Sequence, residues 1–148
     1  MAIRPATESD LPAVVPLLRA YCDFYGAAPA EEGLERMAHA LVAAPDHEGF
    51  LLVAEDDSAR VVGFAACGWK WSSLRGARIV VLEDLFVAEP ARGNGHADAL
   101  IAETAKVAGR HGAPAVTWLT RHDNQRARAV YDRAGAQPEP FVEYELKL

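Results

Sequence analysis

Residues 77–103 read "ARIVVLEDLFVAEPARGNGHADALIAE". The stretch opens as a long apolar strand that Pro90 ends. It turns through Gly93 and Gly95 and continues as a helix with Leu100, Ile101, Ala105 and Ala108 on one face and Gly112 near its end. Glycine loses more backbone freedom on folding than any other residue, so two in three positions mark a tight turn or a close approach to a ligand. A glycine turn opening a helix presents free N–H groups and the positive end of the helix dipole, which together suit an anion such as a pyrophosphate. Arg92 adds a charge-assisted donor. A plain strand-to-helix turn with a solvated Arg is the alternative for these residues alone. Two nucleotide motifs are excluded. Gly93 and Gly95 would start GxGxxG, but Asp98 holds the third glycine position, and no Gly-Lys-Ser/Thr follows for a P-loop.

Outward from this stretch the periodicity changes several times. "AIRPAT" reads as a short strand, followed by a helix over "TESDLPAVVPLLRAYCDFYG" with Thr7 or Ser9 as N-cap and Pro16 expected to kink or shorten it. "PAEEGLERMAHALVAAP" places Leu34, Met37, Ala38 and Leu41 on one helical face before Pro45. "GFLLVAEDDSARVVGFAACGWKW" predicts a hairpin turning at Asp56, Asp57 and Ser58. Beyond the central helix come a strand, "PAVTWLTR", a short helix, "DNQRARAVYDRAGA", and an alternating closing strand, "PFVEYELKL". The order predicts an α/β (α+β) layer with helices on both faces of a mixed sheet.

At 148 residues without repeats or linkers, the chain is expected to form one domain. A net charge of −6 argues against a nucleic-acid partner and is compatible with a cationic substrate. No apolar run is long enough to span a membrane and "MAIRPATESD" lacks a signal pattern, so no membrane partner and a cytoplasmic location are expected. Cys22 and Cys67 stand alone without metal-ligand spacing, and no metal is expected.

Three motifs carry a resemblance. "RGNGHA", residues 92–97, resembles the Arg/Gln-x-x-Gly-x-Gly/Ala signature of the GNAT superfamily of acyl-CoA-dependent N-acyltransferases. "VLEDLFV" looks like that family's fourth strand, in the form found in its diamine (spermidine/spermine) acetyltransferase branch. "DNQRARAVYDRAGA" is similar to the later motif Asn-x-x-Ala-x-x-x-Tyr-x-x-x-Gly. The resemblance implies one N-acetyltransferase domain over residues 1–148, with a mixed central sheet of six to seven strands flanked by about four helices, and a homodimer. It also implies acetyl-CoA as co-substrate, held by Leu85, Phe86, Val87, Arg92, Gly93, Asn94, Gly95, His96, Ala97, Asn124, Ala127 and Tyr131. His96 departs from the pattern, because that position usually carries an aliphatic residue.

Acetyl transfer from a thioester to an amine needs a base for the ammonium, a donor for the oxyanion and an acid for the departing thiolate. Glu83 and Asp84 interrupt an apolar strand and by period 2 point to opposite faces. Such carboxylates are either paired with a cation or face a wet cleft. With the resemblance, Glu83 is the expected base, directly or through water, and Asp84 has a structural or substrate-orienting role. Tyr131 is the expected acid, since its ordinary pKa near 10 suits a thiolate, and it can also pack in its helix's apolar stripe. Asn124 suits a helix cap, and the resemblance adds a cofactor contact. The oxyanion donor is expected to be a backbone N–H around Phe86 or Val87. For the acceptor, the resemblance brings in Tyr21, Phe24, Tyr25, Trp69 and Trp71, as a cation cage or simply as core. The reaction expected is acetyl transfer to a primary amine of a small molecule of polyamine or lysine-analogue type. Peptide or amine-antibiotic acceptors, or a non-catalytic acyl-CoA-binding module, are the alternatives.

Overall fold

Apolar residues at strand spacing build the sheet's two faces. The computed structural model describes residues 1–148. Strands β1 (Ala2–Pro5), β2 (Gly49–Glu55), β3 (Val61–Ser72), β4 (Ala77–Val87) and β5 (Val116–Thr117) form one sheet in the order β1-β2-β3-β4-β5. The first three pairings are antiparallel and β4–β5 is parallel, so the sheet is mixed, as expected. Helices α1 (Leu11–Phe24) and α2 (Glu31–Ala43) cover one face through Val14, Leu18, Leu34 and Ala38, packed on Leu51, Val53, Phe64 and Ala66. Helix α3 (His96–Arg110) covers the other through Leu100, Ile101, Val107 and Ala108, packed on Leu52, Ala65, Cys67, Val80 and Leu82. Alternating residues of β2 and β3 thus feed two separate cores, as a period of 2 requires. Helix α4 (Gln125–Arg133) follows β5 and adds Val130 and Tyr131 to the α3-side core.

The sheet has five strands rather than six to seven. The stretch "PAVTWLTR" pairs only at Val116–Thr117, and "PFVEYELKL" forms no strand. Alternation supplies a strand's faces but not its ladder, which forms only where a partner strand is met in register. Phe141, Val142, Tyr144, Leu146 and Leu148 stay exposed as a result. Pro16 does not shorten α1, which runs unbroken from Leu11 to Phe24; it lies on the exposed face, where water can serve the carbonyl it frees.

Of the two expected caps it is Thr7, not Ser9, that opens the helical run, in a capping box with Asp10, the residue from which α1 starts. A 3-10 turn over Glu8–Asp10 follows Thr7, whose N–H and hydroxyl both donate to Asp10 Oδ2, at 2.7 and 2.8 Å. Arg4 of β1 donates to both Asp10 oxygens, at 2.7 and 2.8 Å. The Arg4 guanidinium holds the Asp10 carboxyl well below the usual carboxylate range, against the opposing cost of burial and with help from Thr7. A carboxyl so depressed stabilises the fold above its unfolded pKa, about 3.9, and loses that contribution as pH falls towards the folded value. Asp10→Asn is therefore expected to cost about 2 kcal/mol at pH 7, the part-exposed Arg4 keeping the figure modest. Below about pH 4 the gap between variant and wild type should narrow progressively, closing only below the folded pKa. Melting curves at pH 7 and pH 2.5 check this; an equal gap at both would rule it out.

Candidate active site

Parallel pairing of β4 and β5 stops after Val80–Val116 and Val81–Thr117. Beyond that point β4 continues to Val87 without β5, and a cleft of about 640 Å³ opens along it. One wall is the end of β4, with Leu85, Phe86 and Val87, leading into the Gly93–Ala97 turn. The opposite wall is α4, with Asn124, Ala127, Val130 and Tyr131. Tyr21, Phe24 and Tyr25 at the end of α1 close one end.

The glycine turn has the conformation its composition predicts. Gly93 and Gly95 take φ of 83° and 82°, and a Cβ built on either meets nothing within 4 Å. Their side-chain positions are open space, so it is the left-handed backbone alone that would strain an L-residue there. Arg92 is anchored by Nε donating to the Val87 carbonyl at 2.8 Å, with its guanidinium 5.6 Å from the Phe86 ring centroid. His96, first residue of α3, is buried, and its Nδ1 finds no partner. The imidazole thus occupies a packed position, while the backbone at 95–97 remains at the helix N-terminus. Glycine turn, open cradle and helix N-terminus together fit an anionic pyrophosphate.

On the facing wall, Asn124 Oδ1 accepts from the Ala127 N–H at 3.3 Å, which makes it the cap of α4. The Tyr131 ring packs edge-on against Trp118 at 5.3 Å between centroids. Burial first, and then Tyr25, push the Tyr131 phenol above its ordinary value, so it is protonated throughout the neutral range. Both roles for Tyr131, packing and cleft lining, hold at once.

Glu83 and Asp84 do not point to opposite faces. The β3–β4 register runs Cys67↔Leu82 and then Ala66↔Asp84, so Glu83 is the extra residue of a β-bulge. Leu82 and Cys67 belong to the α3-side core, whereas Ala66 belongs to the α1/α2 side. Glu83 follows Leu82 and so turns to the α1/α2 side, where its Oε1 lies 3.9 Å from the Cβ position of Gly68. The inserted residue then lets Asp84 turn to that side as well, against Tyr21 of α1. Burial raises the Asp84 carboxyl above its ordinary value, Tyr21 pulls it back, and neighbouring Glu83 adds to the rise. Glu83 itself is exposed, and both lie on β4 just before the cleft wall begins at Leu85.

Of the aromatic residues predicted near the acceptor, Tyr21, Phe24 and Tyr25 come together: Tyr21–Tyr25 centroids are 4.9 Å apart and Phe24–Tyr25 5.0 Å. Trp69 and Trp71 are elsewhere. Trp69 packs on Phe50 and His111, stacks under Arg78 at 4.1 Å and donates from Nε1 to the Pro45 carbonyl at 2.7 Å. Trp71 is 78% exposed. The register puts Trp69 beside Cys67 on the α3 side, across the sheet from Tyr21. Asp98, Arg126 and Arg133 also line the cleft and were not predicted. For Arg126 and Arg133 the signal was present in the sequence, since positions 126, 130 and 133 adjoin the helical face of the predicted Ala127 and Tyr131; for Asp98 it was its place in the first turn of the helix after the glycine turn.

The same chain matches known proteins along its length. The model of the acetyltransferase (GNAT) family matches residues 14–136. An uncharacterized N-acetyltransferase, YhfO of Bacillus subtilis (strain 168), is 35% identical over 149 residues, spanning 100% of this chain and 98% of that protein. The crystal structure of a probable acetyltransferase superposes with a TM-score of 0.88 at 29% identity, covering 100% of this chain and 98% of the other. Aminoglycoside N-acetyltransferase AAC(6')-Iy, in complex with CoA, shares the fold at a TM-score of 0.85 and 21% identity, over 99% of this chain and 93% of that one. No helix is long and apolar enough to cross a membrane.

Proposed function

The chain belongs to the acetyltransferase (GNAT) family and is an N-acetyltransferase, and on that premise we propose that its donor is acetyl-CoA and its acceptor a primary amine of a small molecule, of polyamine or lysine-analogue type. The observation that carries the acceptor class is the β4 bulge. It sets two carboxylates, Glu83 and Asp84, on one side of the sheet beside the aromatic end of the cleft. Two carboxylates next to aromatic faces suit an acceptor with more than one ammonium group, which also fits the likeness of "VLEDLFV" to the diamine acetyltransferase branch.

In this reading the Gly93–Ala97 turn and the start of α3 hold the pyrophosphate, with Arg92 beside them, and Asn124, Ala127 and Val130 line the path of the pantetheine arm. Bound acetyl-CoA supplies an acetyl thioester as the electrophile. Glu83, exposed at the cleft's edge, takes a proton from the acceptor ammonium, through water where the reach is long. The amine nitrogen bonds to the acetyl carbon, and the carbon–sulfur bond breaks as the resulting oxyanion collapses. The backbone N–H at Phe86 or Val87 serves the oxyanion, and Tyr131 gives its phenolic proton to the thiolate. The second proton of the attacking nitrogen returns to the Tyr131 phenolate, the proton on Glu83 passes to water, and no covalent enzyme intermediate is needed.

The test is an acceptor panel at fixed acetyl-CoA, read by thiol release: spermidine, thialysine, free amino acids, a short peptide and an aminoglycoside. Spermidine or thialysine should turn over fastest, by about tenfold or more in kcat/KM over free amino acids with a single amino group, as one added ion pair near the cleft allows. A preference for the peptide or the aminoglycoside would replace the acceptor assignment.

A further inference from the structure

One ion pair at the cleft has no part in the chemistry above. Arg133, the last residue of α4, donates from Nε to Asp98 Oδ1 at 3.2 Å and from Nη2 to Asp98 Oδ2 at 3.0 Å. Its Nη1 is also engaged, by the Ala129 carbonyl at 3.3 Å. Both partners line the cleft together with Gly93 and Gly95. The pair joins the two walls: Asp98 is the third residue of α3 and Arg133 belongs to α4. With the Arg133 side chain 58% and that of Asp98 41% exposed, it adds little to folding stability.

Its position gives it another consequence. A carboxylate in the first turn of a helix draws on the partial positive charge at the N-terminus. That is the same charge, beside the same free amides, that an anion seated on the Gly93–Ala97 turn would use. A bare Asp98 would therefore compete for the helix end and repel a phosphate at short range. Two-point pairing with a guanidinium removes both effects, because the fork geometry satisfies both carboxylate oxygens.

We propose that Arg133 is a positioning residue for the anionic donor, acting through Asp98, whose charge it neutralises beside the Gly93–Ala97 turn. The proposal rests on acetyl-CoA being the donor. Arg133→Gln unmasks the carboxylate, and Asp98→Asn removes it. The double variant Asp98→Asn/Arg133→Gln has lost the same ion pair as Arg133→Gln but carries no unmasked charge.

The measurement is acetyl-CoA binding by calorimetry at low and high salt, with a melting curve for each protein. Arg133→Gln should weaken binding about tenfold at low ionic strength, the scale of one unscreened charge beside a phosphate. The deficit should shrink in about 0.5 M salt, where the Debye length is only a few ångströms. The double variant should return to within about threefold of wild type, while melting at the same temperature as Arg133→Gln, as loss of one exposed pair predicts. A double variant as weak as Arg133→Gln would overturn the proposal, because the role would then be a mechanical tie or a direct contact of Arg133 with phosphate. Unchanged binding in Arg133→Gln would overturn it as well. If wild type binds no acetyl-CoA, the donor assignment falls first and this one with it, a result distinct from the other two.

Discussion

Tyr131→Phe is expected to lower kcat about a hundredfold, the lower end of what a positioned general acid contributes. The change removes one oxygen from a ring held by Trp118 at 5.3 Å and packed on the α3-side core. Fold and acetyl-CoA affinity should therefore change little, and a melting curve with a binding isotherm separates lost chemistry from lost structure. The direction of the phenol's shift matters here. Burial and Tyr25 raise its pKa above the ordinary value near 10, so the proton is in place from pH 6 to 9 and kcat should show no alkaline limb from this group in that range. A kcat within about threefold of wild type would remove Tyr131 from the mechanism.

Glu83→Gln is the second large effect, and its signature lies in pH. An alkylammonium of pKa about 10.4 is free amine in only about one molecule in 2,500 at pH 7. A base that recruits the protonated majority can therefore account for a factor of hundreds. Losing it should lower kcat/KM about a hundredfold at pH 7 and let the rate recover nearly tenfold per pH unit towards the acceptor's pKa. Glutamine keeps the side chain's size at the bulge, so the β3–β4 register should survive. Parallel pH profiles for wild type and variant, offset by a constant, would mean that Glu83 only attracts the acceptor.

These two expectations differ in how much of them could be read from the residues. Tyr131 could be placed in its helix, and Asn124 at the start of it, from spacing alone, because a helix of 3.6 residues per turn dictates which positions share a face. The Asn124 cap to Ala127 then follows from local chemistry. The same holds for the glycine turn, where two residues in the left-handed region can only be glycines without strain.

Glu83 was different. Period 2 assigned it and Asp84 to opposite faces, and the bulge put them on one. A bulge is a relation between two strands: the mismatch appears only when Ala66 and Cys67 of β3 are aligned with β4. Trp69 and Trp71 lie away from the cleft for the same kind of reason. Their strand was correctly identified, but which face meets α1 and which meets α3 depends on how the helices close over the sheet. Asp98 and Arg133 are 35 residues apart, and only the docking of α4 beside α3 makes them a pair.

By itself, then, the sequence determined the order of the elements, the turn, the caps and the family motifs, all of which depend on neighbours within a few residues. The tertiary structure alone decided the side on which Glu83 and Asp84 emerge, the aromatic residues that reach the cleft, and the lack of a strand partner for residues 140–148. Backbone hydrogen bonds across strands and packing between layers join distant segments, and no local pattern encodes which of them will meet.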